Sequence, residues 1–124
     1  MGMTDHVKFE LAAKAAGIPG AWSIGHNTFH IAMHLRGTSD EAVKARAQIG
    51  LAHGRMWWDP RGDDGDALRL AVKLNMRVGV GQVDRIGGDW GGSFSEPEEI
   101  SADPCAATRL AIFNAAVAAG AVMP

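Results

Sequence analysis

The segment "SADPCAATRLAIFNAAVAAG", Ser101 to Gly120, constrains the fold more than any other stretch, because the helix it predicts carries apolar side chains on most of its faces. Asp103 stands at the N-cap position, and Pro104 follows at the first helical residue, where a missing N–H costs nothing. A helix apolar all round has to be buried, so the rest of the chain must supply elements that each present one apolar face to it.

Those elements can be read from periodicity. Residues Asp5 to Ala16 predict a helix with Thr4 as N-cap, Val7, Leu11 and Ala15 as its stripe, and Gly17 as its stop. "GIPGAW" then breaks the direction of the chain. From Phe29 to Arg36 the pattern alternates, with Phe29, Ile31, Met33 and Leu35 on one side and His30, Ala32, His34 and Arg36 on the other, which predicts a strand with one buried face. Thr38 and Glu41 have capping-box spacing ahead of "AVKARAQIGLAHG", a helix with Val43, Ala47 and Leu51 along one stripe and Gly54 at its end. "RMWWDPRGDDGD" predicts a loop. "DALRLAVKLN" predicts a helix capped by Asp63 or Asp64, with Leu68, Ala71 and Val72 inward. "RVGVGQV" and "DWGGSFS" predict two strands joined by a turn at "DRIGG". The sum is an α+β fold: a small antiparallel sheet of about three strands, with three to four helices packed against it, in a single domain spanning residues 1–124.

Composition narrows the function classes. A net charge of −2 lacks the concentrated basic footprint of a nonspecific nucleic-acid binder, so nucleic acid is disfavoured as a partner. One cysteine, Cys105, cannot form an intramolecular disulfide, and a reducing cytoplasm is the expected setting. The charge-dotted run "MGMTDHVKFELAAKAAG" reads as neither a signal peptide nor a membrane span.

The histidines in "GHNTFHIAMHLRG" recur every four residues, as metal ligands on one helix face do. The apolar residues among them recur every two. On the strand this implies, four residues span about 13 Å, beyond the reach of one ion, so a shared histidine metal site is set aside and no metal or cofactor is expected. The acidic run "DPRGDDGD" lacks the spacing of a wrapped calcium loop, and helix capping accounts for its aspartates. "VGVGQVDRIGGDWGG" lacks a dinucleotide fingerprint, and the apolar context of Cys105 predicts packing rather than nucleophilic chemistry. Four tryptophans, Trp22, Trp57, Trp58 and Trp90, fall in or beside loops and strand ends, where flat rings can stack on a base or dock a partner, although core packing is the commoner fate of any one of them.

Three blocks carry a resemblance: "ELAAKAAGI" from Glu10 to Ile18, "WDPRGDDGDALRLAVKLN" from Trp58 to Asn75, and "DPCAATRLAIFNAAVAAG" from Asp103 to Gly120. They are similar to the phage NinX-like proteins, small proteins of tailed phages and prophages that share a Trp-x-Pro turn, here Trp58, Asp59 and Pro60, and an alanine-rich C-terminal helix. The interval from His26 to Gly54 departs from that group. The resemblance implies a phage accessory protein in the host cytoplasm, and it carries over no catalytic residue.

The expectation is therefore binding rather than catalysis. A small anionic molecule such as a nucleotide signal of host immunity would be held by Trp22, His30, His34, Arg36, Trp57, Trp58, Arg61, Arg85 and Trp90, with a homo-oligomer interface as one place for the site. A host protein engaged through the tryptophan-rich surface is the alternative partner. A metal hydrolase built on histidine and aspartate is the minor one.

Overall fold

The computed structural model describes residues 3–51, 54–85 and 93–124. Helix α5, Pro104–Ala121, is the buried centre that its composition requires, with nine buried residues between Ala107 and Gly120. Asp103 caps it by accepting a hydrogen bond from the Ala106 N–H. Helix α1, Asp5–Ala16, packs along α5; Thr4 caps its start, and Gly17 ends it at φ 71°, a left-handed conformation that favours glycine. The approach is close because small residues are buried on both helices, and a side chain at Gly120 would run into the backbone carbonyl of Leu11.

The stripe of α1 differs from the expected one. Phe9, Ala12, Ala13 and Ala16 are buried, Val7 is exposed, and Leu11 and Ala15 are only partly covered. Phe9 sets this rotation: its ring lies 4.7 Å from that of Phe113 and 6.4 Å from that of Trp58, which turns Val7 toward solvent.

The α+β class is the observed one, with more elements than expected. Among the described residues there are two antiparallel three-stranded sheets and five α-helices. The first sheet runs β1, Gly20–Ser23, β2, Thr28–Ile31, and β3, Trp57–Trp58; the second runs β4, Met76–Gly79, β5, Gln82–Arg85, and β6, Ser93–Phe94. Helices α2, Asp40–Ile49, α3, Asp64–Lys73, and α4, Pro97–Ala102, complete the set. None of the described helices is long and apolar enough to cross a membrane.

Several local expectations are corrected. The strand expected to reach Arg36 stops at Ile31, and Met33–Leu35 form a short 3-10 turn that leaves Met33 exposed and Leu35 buried. The turn is fixed from outside: the buried Arg46 donates to the carbonyls of Leu35 and Gly37 at 2.9 and 2.7 Å, satisfying oxygens that a strand partner would otherwise take. That contact also turns α2, so Ala42 and Arg46 face inward while Val43 and Ala47 are exposed. Ser39 rather than Thr38 caps α2, and Gly50 at φ 78° rather than Gly54 ends it. On α3 the buried residues are Asp66, Ala67, Leu70 and Ala71; Leu68 and Val72 point outward, 63% and 72% exposed. The second hairpin turns at Val80 and Gly81, with Gly81 at φ 70°, so "DR" belongs to β5 and the remainder of the expected turn, residues 86–88, lies outside the described residues. Helix α4 was not expected; Pro97 opens it, and the Glu96 N–H donates to Glu99 Oε1 at 3.0 Å.

Candidate functional site

The β1–β2 hairpin is closed by the four residues Ile24 to Asn27, and Asn27 takes φ 50°, a left-handed conformation that asparagine tolerates. Its register sorts side chains by parity. Trp22, Phe29 and Trp58 stand abreast on one side of the sheet, and Ala21, His30 and Trp57 stand abreast on the other.

The first row belongs to the core. Trp58 is 2% exposed, and its ring meets that of Phe29 edge-on at 5.7 Å. Trp22 is half-buried, 5.3 Å from the Phe9 ring and stacked on His6 at 6.0 Å. Arg61 is also structural: it pairs with both carboxylate oxygens of Asp5 at 3.0 and 3.1 Å and lies over the rings of Phe9 and Phe113 at 5.1 and 5.4 Å. The cavity beside it measures ≈ 80 Å³. Trp58 is buried and Arg61 is engaged by Asp5 and the two rings, so both are withdrawn as ligand contacts.

The second row forms an open face. Trp57 is 49% exposed and pairs with His30, which is half-buried. His26, in the hairpin turn, brings its ring to 5.1 Å from that of His30, and its Nδ1 is hydrogen-bonded to Ser23 Oγ at 2.9 Å. Arg36 is anchored by donating from Nε to the Ile31 carbonyl at 2.7 Å. Partial desolvation, then the neighbouring charges of His26 and Arg36, hold the His30 imidazole below its ordinary pKa. The structure thus brings together His30, Trp57 and Arg36 of the expected residues and adds His26 and Ser23. The expected strand began at Phe29, so its spacing of about 13 Å applied to His30 and His34; His26 lies in the turn, where its ring comes back to that of His30. His34 sits exposed in the turn after β2, off the strand that was expected to carry it beside His30. Arg85 falls in the second sheet, opposite Met76. Trp90 lies outside the described residues.

The acidic loop is a web of caps and ion pairs. Asp66, 2% exposed, accepts from an Arg55 guanidinium N–H, from Arg69 Nη2 at 2.8 Å and from the Asp59 N–H at 2.9 Å. Asp63 accepts from the Asp66 N–H at 2.8 Å, Asp64 from Arg109 at 2.6 Å, and Asp59 from the Gly62 N–H at 3.1 Å. Among the described residues no group of three or more histidine, cysteine, aspartate or glutamate side chains is placed to hold a metal ion. Cys105, expected to pack, is exposed.

Asp63 carries a pH dependence. The Asp66 N–H first, and then Arg55, hold its carboxyl below the ordinary value of 3.8 against partial desolvation, so the stability it contributes is complete above about pH 4 and is lost as the pH falls through the lowered value. Asp63→Ala is expected to cost about 1 kcal/mol at neutral pH, the usual loss of an N-cap. The gap from the parent protein should narrow between neutral pH and the acid side of that lowered value, as the carboxyl takes up its proton. Urea unfolding at the two pH values checks this, and an equal loss at both would contradict it.

No family model, curated protein or solved structure matches the chain.

Proposed function

We propose that this protein acts by binding, and that its ligand is a small anion carrying a flat ring, a nucleotide by chemistry, held on the outer face of the first sheet. The observation that carries this reading is His30 abreast of Trp57 on an open face, with the His26 ring 5.1 Å from that of His30 and Arg36 held on the carbonyl of the next strand residue, Ile31. Trp57 offers a ring for stacking, worth about 1–3 kcal/mol for one base, and the imidazoles and guanidinium offer donors to a phosphate at about 1.5–3 kcal/mol each. After the cost of immobilising the ligand on a shallow face, these contacts correspond to a Kd of about 0.1–1 mM. The biological setting, a phage-encoded accessory protein that sequesters a nucleotide signal of host defence, rests on the resemblance of three sequence blocks to the phage NinX-like proteins.

The test is thermal unfolding against a panel of mono-, di- and cyclic nucleotides. At about 50-fold excess over Kd, stabilisation of about 2 kcal/mol is expected, a rise of several degrees in Tm. Trp57→Ala and His30→Ala should each remove that rise, and a flat response across the panel would end this reading. A host-protein partner is the second reading, favoured by a separate observation: a groove of ≈ 340 Å³ between α2 and α3, where Leu68 and Val72 are exposed beside Ala47 and Lys73. On that reading a partner is recovered from host lysate and lost with Leu68→Asp.

A further inference from the structure

We propose that His26 and His30 form a two-histidine site for a divalent transition-metal ion on the outer side of the β1–β2 hairpin. The spacing fits. Two imidazoles sharing one tetrahedral ion, each nitrogen about 2.0–2.1 Å from it, have ring centres about 5 Å apart. The observed separation is 5.1 Å, with the ring planes 38° apart. The backbone holds it: His30 is locked in register between Ala21 and Trp57, and His26 sits in a turn closed by the Ser23–Thr28 pair.

Ser23 supplies a second element of such a site. Metal-bound histidines characteristically spend their other ring nitrogen on an oxygen, which fixes the tautomer and aims the ring. Ser23 Oγ occupies Nδ1 of His26 at 2.9 Å, which leaves Nε2 as the nitrogen for a ligand. Imidazole donors select zinc, copper or nickel over magnesium or calcium, which prefer oxygen. With two protein ligands, the other coordination positions are left to water or to an oxygen of a bound anion, so the site binds more weakly than a closed four-ligand site. The proposal stands whether or not a nucleotide binds the same face, because its probe is the metal alone.

Calorimetric titration of the untagged protein with Zn²⁺ tests it, with Mg²⁺ as the oxygen-seeking comparison. One Zn²⁺ per chain is expected, and His26→Ala and His30→Ala should each raise Kd by about tenfold or more, while Ser23→Ala has a smaller effect and His34→Ala has none. Histidine side-chain NMR should show the imidazole signals of residues 26 and 30 moving together as Zn²⁺ is added. His26 is exposed in the turn, so His26→Ala leaves the core intact and stays decisive even where His30→Ala loosens the sheet. Absence of Zn²⁺ binding, or binding that survives His26→Ala or weakens equally with His34→Ala, overturns the proposal and leaves the two rings as an aromatic contact only.

Discussion

Trp58→Ala is expected to cost about 3–5 kcal/mol, the range for removing a large aromatic from a packed core, while its neighbour Trp57→Ala costs about 1 kcal/mol or less. The contrast follows from one step along β3. Trp58 turns inward to meet Phe29 at 5.7 Å and Phe9 at 6.4 Å, and it joins the sheet to α1 and, through Phe9, to α5. Trp57 turns outward and is 49% exposed. A domain stable by about 5–15 kcal/mol loses much of its margin with the first substitution and little with the second. Urea unfolding midpoints of the two variants measure this. Equal losses would mean that β3 pairs with β2 in another register, which would exchange the two faces.

Asp66→Ala carries the second large effect, a loss of about 3 kcal/mol. Its carboxylate, 2% exposed, takes hydrogen bonds from Arg55, Arg69 and the Asp59 N–H, so it ties the β3–α3 loop to the first turn of α3. Removing one partner of a buried ion pair costs about 3–5 kcal/mol because the remaining charge is left uncompensated. Arg55 and Arg69 keep 24% and 26% of their side chains exposed and can recover some hydration, which places the loss at the low end. Asp66→Asn keeps the volume and part of the hydrogen bonding, and it should lose less. If Asp66→Ala unfolded at the same urea concentration as the parent protein, the web would be ornamental and the turn would owe its shape to Pro60 and the caps alone.

The starts of α1, α3 and α5 were legible because capping is local chemistry, whereas α2 begins and ends at Ser39 and Gly50 instead of the expected Thr38 and Gly54. Thr4, Asp63, Asp103 and Pro104 stand where the sequence places them, since a side-chain oxygen three residues before an orphan N–H needs nothing from the rest of the fold. Which face of a helix turns inward is settled by long-range partners. In α3 the apolar residues wrap past half the circumference, and two arginines draw Asp66 into the core, which leaves Leu68 and Val72 outside. In α2 the carbonyls of the turn before it recruit Arg46.

The site was legible in part for the same reason. The alternation from Phe29 correctly places His30 opposite the core face, but it overruns at Ala32, because Leu35 reaches the interior through a turn rather than through the pleat. His26 joins His30 only because the chain before it forms β1 and folds back, a hairpin hidden in "AWSIGHNTF", where Asn27, a residue type that tolerates the left-handed turn conformation, was the available signal. Trp57 and Trp58 lie on a strand and not in the expected loop, so the two rings face opposite ways.

The most direct test of the central claim is two-dimensional NMR of the labelled protein during titration with whichever nucleotide raises Tm. Shifts are expected only at Ser23, His26, His30, Arg36 and Trp57, saturating with a Kd of about 0.1–1 mM. Shifts centred on Leu68, Val72 and Lys73, with the outer face of the first sheet unmoved, would contradict it.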